Sequence, residues 1–218
     1  MTIYILVEGD TEVHALPQLL KGLYQSRRLR QPLPLHGAKF LKKVGKAASA
    51  VLARRPDDHV FACPDVAPNA SYENTPWAYR SYADLQARLT QEVKRELSAR
   101  LAPKLLSRAL ERFHPHPFCH DFEVLYLASP ERLSAYLATK SNITKHYNDT
   151  HPEDQDLQEY PKKIVQFLFR HFRGRSYREV EDGRRFFGPA TEHDLDTITL
   201  RCPRFASLVA ALRGLVAT

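Results

Sequence analysis

Glycine is scarce in this chain, at 8 of 218 residues. There is no Gly-x-x-x-x-Gly-Lys stretch, which excludes nucleotide hydrolysis by a P-loop. There is no Gly-x-Ser-x-Gly turn to present a serine nucleophile. Cysteine is also sparse: Cys63, Cys119 and Cys202 are far apart and odd in number. That argues against a disulfide framework and for a reducing, cytoplasmic setting. Cys63 precedes a proline and does not open a helix, so no helix start is there to activate the thiol. No apolar run is long enough to span a bilayer, so no membrane association is expected. The first residues carry neither a basic stretch nor a small-residue cleavage site, and their apolar run reads as a core strand. No internal repeat or low-complexity segment breaks the chain. The expected organisation is one domain, 1–218, with an α/β core over 1–128 and a mostly helical extension over 129–218.

What is present is an ordinary globular composition, 43% hydrophobic and 26% charged, with a net charge of +7. A basic balance favours polyanionic partners, DNA or RNA among them, through phosphate contacts. The positive charge is gathered at Arg27-Arg28-Leu29-Arg30, Lys39 to Lys46, Arg54-Arg55 and Arg170 to Arg178. Any one of these clusters reads equally as a solvated face.

The chain is organised around its start. Thr2 to Val7 is an apolar, β-branched run that stops at Glu8-Gly9-Asp10-Thr11-Glu12. A strand there delivers a carboxylate to its C-terminal tip, then turns at Gly9 into a helix capped by Asp10 or Thr11. Glu12 falls in the first turn, where the helix dipole favours an anion. Val13, Leu16, Leu19, Leu20 and Leu23 form the apolar stripe of that helix, and Arg27 to Arg30 close it. Leu33 to Leu35 read as a short edge strand. A second helix runs from Gly37 to Leu52. His59 to Cys63 is another buried strand, and it hands Asp65 to its tip. Strand, helix, strand in this order gives an α/β fold with a small, mainly parallel sheet flanked by helices.

Residues 68–80 read as a loop containing Trp77. A long helical region follows from Tyr82 to Phe113, with a break at Pro103. His114 to His120 form a short strand that leads into a helix over Asp121 to Leu127. Ser129-Pro130-Glu131 provides a cap, a proline at the first helical position and an early acid. Residues 141–160 are a polar excursion, with a short helix start at Pro152. Pro161 to Phe172 form a helix, Gly183 to Gly188 a turn, Asp194 to Leu200 a helical turn, and Cys202-Pro203 the start of a final helix.

Three constellations could carry chemistry. Glu8, Asp65 and Glu123 each follow a strand-like run, and parallel strands ending on one side of a sheet bring such acids together. Clustered carboxylates suit hard divalent cations, Mg²⁺ above all and also Mn²⁺. Taken singly, Glu8 is equally a helix-start anion and Asp65 a turn former. Next are Lys162 and Lys163 at a helix start, followed by Arg170, Arg173, Arg175 and Arg178. They could meet a phosphate or be a solvated basic face. Phe167, Phe169 and Phe172 read as core rather than as base-stacking platforms. Last, His114, His116, Cys119 and His120 invite zinc by type, but their spacing matches no closed structural site. His120 reads more readily as a helix-start neighbour of Glu123.

Ile5-Leu6-Val7-Glu8-Gly9-Asp10-Thr11-Glu12 resembles the first motif of TOPRIM domains: a hydrophobic strand, Glu, Gly and a helix. More narrowly, the chain resembles the DUF4276 family of bacterial TOPRIM-like proteins. Four further stretches carry that likeness: Val60 to Asp65; His120 to Tyr126; His151-Pro152-Glu153-Asp154 with Tyr160 to Ile164; and Leu200 to Phe205. The resemblance implies a Rossmann-like TOPRIM core with helical additions in the C-terminal half. It also implies Mg²⁺-dependent cleavage or joining of nucleic acid. Glu8 would serve as acid/base or metal ligand and Asp65 as metal ligand, with an ATPase partner in anti-phage or mobile-element systems. The chain departs from the pattern at Asp65-Val66-Ala67, where the second motif of the family carries Asp-x-Asp. Glu12 or Glu123 is then the candidate for the missing oxygen. The rival expectation is a depleted TOPRIM-like module that binds or assembles without cutting.

Overall fold

The computed structural model describes residues 1–36, 40–66, 79, 81–154 and 160–217. Four parallel strands form its sheet, in the order β2-β1-β3-β4: β1 is Ile3–Val7, β2 Leu33–Pro34, β3 His59–Cys63 and β4 Phe113–Pro115. β1 and β3 are the central pair, in register from Ile3 opposite His59 to Val7 opposite Cys63. Strand periodicity sends their side chains to two separate cores. Ile3, Ile5, Val7, Phe61 and Cys63 face one core, and Leu6, Val60 and Ala62 face the other. A sheet buried on both faces needs continuous apolar strands, and both central strands have them.

The second face is covered by α3 (Phe40–Leu52), α4 (Tyr82–Ser98) and α5 (Pro103–Leu110). The first face is covered by α1 (Asp10–Leu19) and by helices of the C-terminal half. The remaining helices are α2 (Lys21–Tyr24), α6 (Val124–Leu127), α7 (Pro130–Tyr136), α8 (Pro161–Arg173), α9 (Glu179–Phe187), α10 (Glu192–Arg201) and α11 (Pro203–Ala217). Among the described residues, no helix is long and apolar enough to cross a membrane.

Several local expectations are corrected. Asp10 is the first helical residue, and Gly9 occupies the cap position with φ −140°, an extended conformation open to any residue. Arg27 to Arg30 do not close α1, which ends at Leu19. Arg27 has φ 59°, and Leu29 pairs in parallel with Ile3, so this basic segment lies against the sheet edge. Ser129 precedes α7 without capping it, and its hydroxyl has no partner among the described residues. The expected turn over Gly183 to Gly188 is mostly helix, because Gly183 sits where α9 crosses α1. A Cβ there would lie 3.2 Å from Thr11 Cγ2. Asp194 to Leu200 are part of the full helix α10, opened by a reciprocal capping box between Thr191 and Asp194. The helix start at Gly37, the loop with Trp77, and Ala67 lie outside the described residues.

Two of the motifs singled out in the sequence turn out to be one structural joint. Glu153 is 6% exposed, and its carboxylate accepts the backbone N–H groups of Arg204 at 3.0 Å and Phe205 at 3.2 Å. These are unpaired donors of the first turn of α11, which no intrahelical carbonyl can reach. The His-Pro-Glu-Asp stretch therefore caps the helix that the Arg-Cys-Pro-Arg-Phe stretch begins.

Candidate functional site

The site is built by chain direction. β1 and β3 are parallel and end level, so Glu8 and Asp65 emerge on the same edge of the sheet. The Asp65 N–H donates to Glu8 Oε2 at 3.1 Å. Asp65 also pairs with Phe118 in an isolated parallel bridge. That bridge steers the chain beyond β4 to the same edge, where Asp121, Phe122 and Glu123 follow. Glu12 reaches the site from the first turn of α1. Lys162 arrives at the start of α8, and its backbone N–H donates to Asp121 Oδ2 at 3.1 Å.

The five residues expected from the sequence, Glu8, Glu12, Asp65, Glu123 and Lys162, line one cavity of about 260 Å³, with Glu179 on its rim. Lys162 Nζ lies 2.8 Å from Glu179 Oε1. The Tyr177 hydroxyl donates to Glu123 Oε1 at 3.1 Å and stands 3.3 Å from the Tyr126 hydroxyl. Asp121 and Tyr177 were not singled out in the sequence. Asp121 had one available signal, its place three residues after the Phe118 bridge partner of Asp65, but that bridge exists only in the folded chain.

Burial dominates the electrostatics. Glu12, Asp121 and Glu123 are 4%, 1% and 3% exposed. Burial raises the Glu8 carboxyl, against the opposing Asp65 N–H and the charge of Lys162. Burial pushes Glu12 up to about 8, with the charges of Glu123 and Glu8 adding to it. Asp65 is raised well above the carboxylate range by burial and then by Glu12 and Glu8, and Asp121 by burial and then by Glu123. Glu123 is raised by burial, with Lys162 opposing. Burial alone would lower Lys162, but Glu123 and then Glu179 outweigh it and hold the ammonium charged. Among the described residues, Lys162 is the one cation lining a cavity shared by Glu8, Glu12, Asp65 and Glu123, and it also pairs with Glu179, so the cavity takes up either protons or further cations.

The donor set suits a hard divalent cation: it is all oxygen, and Asp65 Oδ1 and Asp121 Oδ1 are buried without hydrogen-bond partners among the described residues. Among the described residues, no group of three or more acidic, histidine or cysteine side chains is already spaced to hold a metal ion. The chemistry of the donors therefore fits, and ligand-distance geometry would require the carboxylates to draw together.

The other two constellations disperse. His114 pairs with His59 at 2.9 Å and stacks on Phe61. The Cys119 thiol donates to the Glu153 carbonyl and also contacts the Arg204 guanidinium. His120 has φ 64° and precedes α6; the groups acting on it are Glu153, Arg204 and Asp154, not Glu123. Of the basic series, Arg175 is paired with the fully buried Asp182, Arg178 with Glu181, and Arg173 with the Tyr136 carbonyl. Phe169 is core and Phe172 half-buried, but Phe167 is 45% exposed, against the core expectation.

Comparison with curated proteins and with solved structures finds no match. A family model described as a domain of unknown function, DUF4276, matches residues 7–213, from the end of β1 into α11 and across every residue of the cavity. The chain therefore belongs to the DUF4276 family.

Proposed function

We propose that this protein is a TOPRIM-like, Mg²⁺-dependent hydrolase of nucleic-acid phosphodiester bonds, with Mn²⁺ able to replace Mg²⁺. One observation carries the reading: strand-tip and helix-start carboxyls and a single charged lysine share one cavity at the C-terminal edge of a parallel sheet. Glu8, Glu12, Asp65 and Glu123 would hold the cation. When bound, it supplies an activated water and neutralises charge at the leaving oxygen. Lys162, kept charged by Glu123 and Glu179, binds the phosphate and opposes the negative charge that develops there. Glu12, whose carboxyl is pushed up to about 8 in the metal-free cavity, would give up its proton on taking the cation. Tyr177 fixes the Glu123 carboxylate through its hydroxyl.

A second reading, a TOPRIM-like module that binds or assembles without cutting, is favoured by the spacing of the carboxylates and by Ala67 in place of a second acid. Plasmid nicking in Mg²⁺ or Mn²⁺ separates the two. Wild type should nick, while Glu8→Gln and Asp65→Asn should each lose at least about 100-fold in rate. Activity surviving both substitutions would remove the assigned site. No activity with either metal, alone or with an ATPase partner, would leave the binding module.

A further inference from the structure

α8 carries Lys162, Lys163, Arg170, His171 and Arg173 and no acidic residue. Its inner side is Ile164, Val165, Leu168 and Phe169. Lys163, Phe167, Arg170 and His171 lie on the opposite, exposed side. Spacings of three and four residues make them one stripe. Phe167, 45% exposed, has its ring stacked on His171 at 5.5 Å and 16°. His146 flanks the same ring at 5.2 Å, carried beside the exposed Lys145 on a separate turn of chain. The Lys163 ammonium lies over the Tyr160 ring at 5.0 Å. Packing accounts for the inner side of α8 and does not account for a large apolar ring left 45% exposed between two histidines on its cationic outer side.

We propose that this face of α8 is a binding track for single-stranded nucleic acid, with a base stacking on Phe167 and backbone phosphates on Lys163, Arg170 and Lys145. Aromatic faces set in a cationic groove fit single strands, because every base has a π-face and every phosphate a charge. A duplex hides those faces. The geometry also gives the track a direction. Lys162, in the cavity, precedes Phe167 by five residues, about 7 Å of helix axis. The direction rests on reading the cavity as a phosphodiester site; binding to the track does not.

The test is fluorescence anisotropy of the full chain in EDTA, where cleavage is off. The probes are a labelled mixed-sequence single-stranded DNA, the RNA of the same sequence, and the corresponding DNA duplex. Phe167→Ala should weaken single-strand binding by about tenfold, and Phe167→Trp should restore it. Duplex binding should change much less. Arg170→Gln should weaken binding across sequences and reduce the salt slope by about 0.7. Binding by either the DNA or the RNA strand supports the track, and the tighter of the two identifies its natural ligand. The proposal is overturned if neither strand binds, if Phe167→Ala binds as wild type, if Phe167→Leu restores binding as well as Trp, or if duplex is lost in parallel. Phe167-dependent binding without cleavage in Mg²⁺ would keep the track and remove the hydrolase reading; cleavage that ignores Phe167 would do the reverse.

Discussion

At the scale of single residues, the most informative group is Glu12. A surface acid in a first helical turn would titrate in the ordinary range, but Glu12 is buried beside Glu8 and Glu123 and is pushed from 4.5 up to about 8. Its folded pKa lies above its unfolded one, so the folded state binds the extra proton. Its contribution to stability is complete below 4.5 and is lost as pH rises to about 8. Thermal melts in EDTA across that window should show wild type losing stability as pH rises, and Glu12→Gln losing distinctly less. Equal slopes would mean that Glu12 is not the proton-binding group. Asp182 has the opposite sign: burial would raise it, but Arg175, the Arg178 N–H and the Tyr136 hydroxyl outweigh that and hold it low. It is a structural anion with its partners supplied, and its carboxylate is not in the cavity. The positions of Glu8, Glu12, Asp65, Glu123 and Lys162 were legible from residue type at strand tips and helix starts. Asp121 was not, because nothing local marks an aspartate in a turn as buried beside Glu123 and Asp65.

At the scale of elements, what decides a helix is often its distant neighbour. α11 begins at Pro203, which sequence alone indicates, but its first N–H groups are satisfied by Glu153, some fifty positions away. Glu153→Ala should cost about 1–2 kcal/mol, read as a lower urea midpoint with an unchanged slope. A midpoint equal to wild type would show that water satisfies those donors. Gly183 and Gly188 look like turn residues in sequence, whereas in the fold Gly183 lets α9 approach Thr11 and Tyr126. Similarly, the Arg28 guanidinium donates to the Leu215 carbonyl in α11, and Arg112 donates to the Leu52, Arg55 and Asp58 carbonyls. Arg28, which in sequence reads as part of a solvated cluster, is thus spent on a backbone end.

At the scale of the whole molecule, the sheet divides the protein into two cores and gathers its acids at one edge, while the net charge of +7 lies elsewhere. A divalent cation entering the cavity should stabilise the fold, because it replaces protons on carboxyls that only the folded chain brings together. At 100 times its dissociation constant, Mg²⁺ would add about 2.7 kcal/mol. Differential scanning fluorimetry should show a melting temperature that rises with Mg²⁺ and falls again with EDTA. The rise should be strongly reduced in Glu8→Gln and in Asp65→Asn. An equal rise in both variants would place the ion elsewhere.

The sequence by itself determined the central strands, most helices and the acids at their ends, because apolar runs, prolines and strand tips are local signals. Tertiary structure alone decided that α1, β3, the turn after β4 and α8 deliver those groups to a single cavity. It also decided that Phe167 faces water and that Gly183 belongs to a helix. The physical reason is the same in each case: burial and charge coupling are properties of what surrounds a residue, and the surroundings are set by segments far away in the chain.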